Sequence, residues 1–308
     1  MSSDSPLLGP TPTDINRLEP EGDSEPAVLY DVDDHGVCII TLNMSRQMNG
    51  WGPALSSGWL DAYDRAQADD TVKVIVVTGR GRAWCAGAAM DGLQDLGASG
   101  GMDSGGRGAA KKKVESTDEK DPAALPKEPN GFGGVSDTDT NQVIVDHKGR
   151  PINHALWITK PIIAAINGAC AGGGMGQAMN CDMRFAAEGA TFSTAFARRG
   201  LIAEWGISWA LPRVVGTGNA MDLLLSARKF KGVEAKELGV VQRVFPAESL
   251  LEETVAYARD MADNGAKRLI VCTFHMKTND LPRQARDNYE QNLNGRLSYT
   301  QSPPRRSR

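Results

Sequence analysis

Cysteine and histidine are scarce in this chain and are scattered along it. The five cysteines form no Cys-x-x-Cys pair, and the four histidines lie far apart. This pattern excludes a disulfide framework and gives no zinc-ligand spacing, so we expect buried, reduced thiols and no bound metal. The cysteines are Cys38, Cys85, Cys170, Cys181 and Cys272, and the histidines are His35, His147, His154 and His275.

An excess of basic residues and long apolar runs are lacking too. The formal net charge is -4, whereas nucleic-acid binders usually have a basic footprint, so no nucleic-acid partner is expected. No apolar run approaches the roughly 20 residues of a membrane helix, so no membrane partner is expected either. Because the sequence shows neither a secretory signal after Met1 nor a peroxisomal Ser-Lys-Leu ending, a cytoplasmic location is expected.

The composition divides the chain into five parts. Residues 1–26 are rich in Ser, Pro, Asp and Glu and predict a disordered leader. Residues 27–246 predict the folded core, interrupted at about 95–141 by a flexible insertion without periodicity, or by a lid that orders with a ligand or partner. Residues 247–297 predict amphipathic helices typical of an oligomerisation region, and 298–308 predict a flexible tail.

The pattern of the core predicts an α/β fold. Residues 27–32 and 37–42 are β-prone runs around an Asp/Gly turn signal, which indicates a hairpin. A helix is predicted over Pro53–Ala68 from its apolar face. The apolar runs 72–78 and 161–167 predict strands buried on both faces, and each leads into a turn rich in Gly and Ala. Sites in such folds lie at the carboxyl ends of the strands.

Two glycine-rich segments, residues 76–90 and 160–176, follow those buried strands. Small residues there let a ligand approach the main chain closely. If a helix begins near Gly174, its free N–H groups point at the ligand and its dipole favours negative charge. Such donors are what an oxyanion hole requires. The spacing fits neither a P-loop nor a dinucleotide-binding turn.

Together the two segments resemble the paired signatures of the crotonase superfamily, the enoyl-CoA hydratase/isomerase family. Each signature of that family contributes one N–H group to the thioester carbonyl, and the matching positions are Ala88 and Gly173. The resemblance implies a spiral of ββα units, a homotrimer or dimer of trimers, and coenzyme A as part of the substrate, with no tightly bound cofactor. The substrate-binding residues that it implies are Met48, Gly50, Ala86, Gly87, Ala89, Met90, Gly172, Gly176 and Phe196.

The sequence departs from the hydratase pattern at the catalytic acids. The two glutamates of the hydratases fall on Gly176 and Phe196, and the aspartate of the first signature falls on Ala89. Glu204 resembles the proton-shuttling glutamate of Δ3,Δ2-enoyl-CoA isomerases, which takes a proton from C2 and returns it at C4. The apolar neighbours Trp205 and Phe196 are expected to raise the pKa of Glu204 toward neutral.

Other functions stay open at this point. Within the superfamily, the chain could be a hydratase with another base or a CoA-thioester hydrolase. It could also be a non-catalytic CoA-binding scaffold, which a Glu204 side chain pointing away from the oxyanion hole would favour. The segment from Gly206 to Ala210 nearly matches the Gly-x-Ser-x-Gly elbow of serine hydrolases but lacks the final glycine.

Overall fold

The computed structural model describes residues 25–88, 148, 150–203 and 205–265. These residues belong to one of the two units of the chain, the unit formed by residues 1–101 and 145–274. The predicted insertion, the predicted tail and all but the last two residues of the predicted leader lie outside the described residues. So does every residue after 265.

Ten strands and five helices form the described fold. In chain order they are β1 Val28–Val32, β2 Val37–Leu42, α1 Pro53–Ala68, β3 Val74–Gly79, β4 Ala83–Cys85, β5 Ile162–Ile166, β6 Ala169–Ala171, α2 Gly173–Asn180, β7 Met183–Ala187, β8 Thr191–Ser193, α3 Ile207–Ser226, β9 Phe230–Lys231, α4 Gly232–Glu237, β10 Arg243–Phe245 and α5 Leu250–Asp263. Short 3-10 turns lie at Ser45–Gln47, His154–Trp157 and Ala197–Arg199.

The larger sheet has six strands in the order β1-β2-β3-β5-β7-β10. Strands β1 and β2 form the predicted antiparallel hairpin, and every other neighbouring pair is parallel. All residues of β3 and β5 are buried, and α5 packs on both strands. Burial on both faces explains why these strands are continuous apolar runs. The predicted α/β fold is confirmed.

The smaller sheet corrects one prediction. Its strands lie in the order β4-β6-β8-β9 and have two or three residues each. The residues of β4 and β6 were predicted as parts of Gly/Ala-rich turns, yet they pair in parallel. Main-chain pairing needs no side-chain pattern, so strands this short leave little trace in the sequence.

Helix α1 has the predicted bounds and covers β1 and β2. It begins with Pro53, whose missing N–H group costs nothing at a first helical position. Leu55, Trp59 and Tyr63 recur at helical spacing and are fully buried. The apolar face of α1 therefore packs against the sheet, and the opposite face remains for polar contacts.

The polar face of α1 anchors the chain that enters the second half of the core. Asp61 pairs with Lys148 at 2.6 Å and with Arg150 at 2.8 Å, and Asp64 pairs with Arg150 at 2.6 Å and with His154 at 2.7 Å. The hydrogen bond from Lys148, helped by Arg150, lowers the pKa of Asp61 although partial burial opposes the shift.

Helix α5 begins at Leu250 as the sequence predicts, and the further helix predicted after Ala266 lies outside the described residues. Within the described ranges, no helix has both the length and the apolar character that crossing a membrane requires.

Candidate functional site

The two glycine-rich segments are tied together at the ends of β3 and β5. The side-chain oxygen of Asn167 accepts a hydrogen bond from the N–H group of Gly79 at 3.2 Å, and its amide donates to the carbonyl of Gly81 at 2.8 Å. A Cβ atom on Gly168 would collide with the carbonyl oxygen of Arg82. The Asn-Gly pair of the second segment therefore fixes the first segment beside it.

The first predicted donor lies on a loop that runs beside a second stretch of main chain. The N–H group of Ala86 donates to the carbonyl of Met48 at 3.1 Å, and the N–H group of Trp51 donates to the carbonyl of Gly87 at 2.7 Å. Ala88 is paired with Trp51 as an isolated parallel bridge. Ala88 is exposed, and its own N–H group has no hydrogen-bond partner among the described residues.

Buried Asn49 holds that second stretch in place. Met48 and Asn49 both have left-handed backbones, with φ of 55° and 50°, a region that Asn tolerates better than most residues. The amide of Asn49 donates to the carbonyl of Ala83 at 2.7 Å, and the N–H group of Gly50 donates to the carbonyl of Gln47 at 3.0 Å. The predicted coenzyme A contacts Met48 and Gly50 therefore belong to a compact, internally bonded turn.

The second predicted donor begins helix α2. Gly172 has φ of 52°, and its N–H group donates to the carbonyl of Ser193 at 3.0 Å. The N–H group of Gly173 is at the first helical position and has no hydrogen-bond partner in the described part of the chain. A Cβ atom on Gly87, which has φ of 101°, would lie 2.9 Å from the carbonyl oxygen of Ala171 and 3.7 Å from the nitrogen of Gly173. The two donor loops are thus adjacent.

Helix α2 is buried and packs closely against strand β4. Its eight residues are all buried, and a Cβ atom on Gly174 would collide with the main-chain carbonyl of Cys85 in β4. Beyond its carboxyl end, the buried guanidinium of Arg184 donates to the carbonyls of Cys181 at 2.7 Å and Val240 at 2.8 Å. Burial lowers the pKa of Arg184. A cation at this end complements the helix dipole.

The thiols near these loops are poor nucleophiles. Burial raises the pKa of Cys85 to about 12 and raises the pKa of Cys170 well above its ordinary value. Both sulfur atoms therefore remain protonated near neutral pH, and reactivity in cysteine belongs to the thiolate.

The position of the first hydratase glutamate is filled by an aromatic residue from another loop. A Cβ atom on Gly176 would lie 2.7 Å from the Cβ atom of Trp205, and one on Gly173 would lie 2.8 Å from the Trp205 indole. Phe196, at the second glutamate position, is 6% exposed. It follows Ala195, whose Cβ atom would lie 3.9 Å from a Cβ atom on Gly172. Neither position offers a group that moves protons.

Trp205 and Trp51 are site residues whose position in the site the sequence did not predict. Their rings meet edge to face at a centroid distance of 5.0 Å and an angle of 78°. Trp51 also contacts Trp59, and Trp59 contacts Trp84, each at 5.4 Å. The available signal was Gly176, because a side chain at that position would collide with the Cβ atom of Trp205.

Helix α2 carries two buried polar side chains that each leave one atom without a hydrogen bond among the described residues. The Oε1 atom of Gln177 and the Nδ2 atom of Asn180 have no hydrogen-bond partner within the described residues. The Oδ1 atom of Asn180 would lie 3.8 Å from a Cβ atom on Gly206. Buried polar atoms are rarely left unpaired, so the Asn180 amide near Gly206 can take a polar neighbour.

Three predicted site residues, Ala89, Met90 and Glu204, lie outside the described residues, although Ala203 and Trp205 on either side of Glu204 are described. The structure brings together residues from the two donor loops, the adjoining turn and the first turn of α2, and it places Phe196 on the loop beside Gly172. The predicted residues that it gathers are Met48, Gly50, Ala86, Gly87, Ala88, Gly172, Gly173 and Gly176.

Comparison with known proteins agrees with this arrangement. The family model described as enoyl-CoA hydratase/isomerase matches residues 33–106 and 141–304. Mevalonyl-coenzyme A hydratase of Beauveria bassiana is 30% identical over 80% of this chain and 79% of its own length. The 1,2-epoxyphenylacetyl-CoA isomerase of Escherichia coli is 29% identical over 74% of this chain and 73% of its own length.

A solved structure agrees with the fold as well. The crystal structure of an enoyl-CoA hydratase from Mycobacterium marinum is 38% identical, covers 82% of this chain and 97% of its own, and superposes with a TM-score of 0.59. The match to the family model extends over most of the chain and includes both donor loops. The predicted crotonase fold is therefore confirmed, and this chain belongs to the enoyl-CoA hydratase/isomerase family.

Proposed function

We propose that this protein is an enoyl-CoA isomerase that shifts a double bond with one carboxylate. The N–H groups of Ala88 and Gly173 are the oxyanion donors in this proposal, and Glu204 is the acid/base. The observation that carries it is the adjacency of the two donor loops, whose N–H groups have no hydrogen-bond partner among the described residues. Donors in such a site act where charge develops on the thioester oxygen.

The reaction needs a single proton shuttle. Glu204 removes a proton from C2 of a 3-enoyl-CoA, and the electron pair moves through C1 onto the thioester oxygen. The resulting dienolate is held by the N–H groups of Ala88 and Gly173. Glu204 then gives the same proton to C4, and the double bond is left between C2 and C3. No atom is gained or lost, and the carboxylate ends in its starting form.

The side chains around the donors support isomerisation over hydration. Adding water across a double bond requires groups that take a proton from water and give one to carbon. Gly176 has no side chain, Phe196 has no titratable group, and Trp205 occupies the space beside Gly176. A single carboxylate, which we propose is Glu204, suffices for the isomerase.

The names of the relatives support both reactions of the family. The Escherichia coli relative is named an isomerase, whereas the Beauveria bassiana relative and the Mycobacterium marinum structure are named hydratases. Hydration is therefore the second candidate, and it would need an acid from outside positions 176 and 196.

The proposal includes the substrate contacts and the assembly predicted from the sequence. The coenzyme A part of the substrate would contact Met48, Gly50 and the main chain of residues 86–90, with no tightly bound cofactor.

A homotrimer or dimer of trimers is supported by exposed apolar side chains on α3 and α4. These are Met221, Leu225 and Val233. The cytoplasmic location stays a prediction.

The direct test uses 3-hexenoyl-CoA with wild type and Glu204→Gln, followed by mass spectrometry and by the absorbance of the conjugated thioester. We expect wild type to form the 2-enoyl product at unchanged mass. Glu204→Gln should be about 100- to 10,000-fold slower, the usual contribution of a positioned acid/base, and should still bind the thioester.

Glu248→Gln is the matched control, because Glu248 is an exposed glutamate on the loop before α5. It should isomerise at the wild-type rate. An unchanged rate in Glu204→Gln would remove Glu204 from the mechanism. A product heavier by one water would assign hydration, and free coenzyme A would assign hydrolysis. Binding without conversion would indicate a scaffold.

A further inference from the structure

Trp205 is held in a backbone conformation that bulky residues avoid. Its φ is 63°, and the next residue, Gly206, has φ of 72°. Two successive left-handed residues turn the chain sharply into α3, which begins at Ile207. A large side chain persists in this region only where its surroundings determine its position, and such residues cluster at ligand-binding sites.

The surroundings of Trp205 are the first turn of α2. Its indole would be 2.8 Å from a Cβ atom on Gly173, and its Cβ atom would be 2.7 Å from one on Gly176. The two glycines therefore leave the space that the ring occupies. Gly173 is also the proposed second oxyanion donor, so the indole lies directly beside the thioester position.

Trp51 places a second indole beside the other donor loop. The main-chain N–H group of Trp51 donates to the carbonyl of Gly87, and Trp51 is the bridge partner of Ala88. The Trp51 ring meets the Trp205 ring at 5.0 Å and 78°. We call these two rings the indole wall. Both are partly exposed, whereas the Trp59 and Trp84 rings behind Trp51 are fully buried.

We infer that the indole wall selects the acyl group, favouring flat aryl or conjugated acyl groups over flexible saturated chains. The inference rests on the proposed thioester site, because the Trp205 ring lies beside Gly173 and a carbonyl held there brings its first carbons close to that ring. An aromatic or conjugated group gains offset or edge-to-face contact with indole rings beyond the gain from buried area. A saturated chain lacks that gain and loses rotational freedom when it is bound.

The residues at the lost glutamate positions fit the same substrate class. Gly176 brings no side chain, and Phe196 has a buried, uncharged one. Neither supplies charge to a charged acyl substituent. The indole wall, with no charged group at positions 176 and 196, suits an uncharged planar acyl group.

Isothermal titration calorimetry with two thioesters that cannot isomerise tests the inference. Benzoyl-CoA is flat and has no proton on C2, and hexanoyl-CoA is flexible and has no double bond. We expect wild type to bind benzoyl-CoA about three- to tenfold more tightly, which is the size of an aromatic contact expressed as an affinity ratio. Trp205→Leu should bring the ratio to about one.

Trp209→Leu is the matched control, because the Trp209 indole packs against the guanidinium of Arg213 outside the wall. It should keep the wild-type ratio. Trp51→Leu is the second test variant, and it should also lower the ratio of the two affinities. It keeps the inference testable if Trp205→Leu does not fold. Thermal unfolding of every variant separates lost packing from lost selectivity.

A wild-type affinity ratio of one overturns the inference, and so does a ratio that is unchanged in both Trp205→Leu and Trp51→Leu. In either case the isomerase proposal stands if turnover is observed. If the affinity ratio falls in Trp205→Leu while Glu204→Gln keeps full activity, the result supports the indole wall and removes Glu204 from the mechanism. If wild type binds neither thioester, both proposals are wrong.

Discussion

The donor side of the proposed site is made of main chain, whereas its acyl side is made of side chains. Ala88 and Gly173 offer N–H groups that strand pairing and close glycine contacts hold in place. Trp51 and Trp205 offer ring surfaces that one substitution would remove. The donor side can therefore be shared by enzymes with different reactions, while the acyl side can change from one enzyme to the next.

The largest expected effect lies on the main-chain side. In Gly174→Ala the added methyl group would collide with the carbonyl of Cys85, and neither helix α2 nor strand β4 can turn aside because both are buried main chain. We expect the free energy of unfolding to fall by about 3 kcal/mol. Urea unfolding followed by circular dichroism measures it.

Gly218→Ala is the control for that substitution. Gly218 lies in α3, and a Cβ atom there would have no heavy atom within 4 Å among its described surroundings. Its free energy of unfolding should stay level or rise by up to about 1 kcal/mol, because Ala favours helix. Equal stability of Gly174→Ala and wild type would contradict the close packing of α2 on β4.

On the acyl side, a second substitution should relieve the same kind of collision. Gly176→Ala meets the Cβ atom of Trp205 and should lower the free energy of unfolding by about 1–3 kcal/mol. Trp205→Gly removes that atom and suits the left-handed backbone. In a double-mutant cycle, the two changes should show a favourable coupling of about 1–2 kcal/mol.

Trp205→Gly combined with Gly174→Ala is the matching cycle for the main-chain side. Because Gly174 meets Cys85 and not Trp205, the effects of these two changes on the free energy of unfolding should add. Coupling in this second cycle, or no coupling in the first, would contradict the proposed difference between the main-chain side and the side-chain side of the site.

The smallest effect on stability is expected for the exposed ion pairs of Asp61 on helix α1. The pKa of Asp61 is lowered in the folded protein by Lys148 and Arg150, so its contribution is present above about pH 3.8 and is lost as the pH falls below that value. Asp61 is 44% exposed, which screens the pair. Asp61→Asn should cost on the order of 0.5 kcal/mol at pH 7 and less at pH 3.

Urea unfolding of wild type and Asp61→Asn at both pH values measures that difference. Asp34→Asn is the control, because Asp34 is an exposed aspartate in a turn, and its free energy of unfolding should match that of wild type at both pH values. A loss at pH 7 as large as that of Gly176→Ala would mean that exposed ion pairs stabilise this fold as much as site packing does.

The parts of the fold that were predictable are those in which a side-chain pattern repeats. The apolar face of α1 predicted the bounds of Pro53–Ala68, and continuous apolar runs predicted β3 and β5 within two residues at each end. The smaller sheet was missed because strands such as Ala169–Ala171 are too short to show alternation. Their existence depends on main-chain partners that lie far away in the sequence.

The candidate site divides in the same way. Glycines mark the places where main chain approaches main chain, so both donor loops could be located from sequence, as Gly87 and Gly173 illustrate. The indole wall could not, because it depends on a left-handed backbone at Trp205, which no side-chain pattern predicts. The role of Glu204 stays a prediction.

Four of the six tryptophans, Trp205, Trp51, Trp59 and Trp84, form one unbroken line of ring contacts from the site into the core. Excitation energy passes readily between indoles this close, so light absorbed at a buried ring can be emitted from a ring beside the proposed site. We therefore expect the tryptophan fluorescence of this protein to respond to a ligand at the outer end of the line, where the acyl group is proposed to bind.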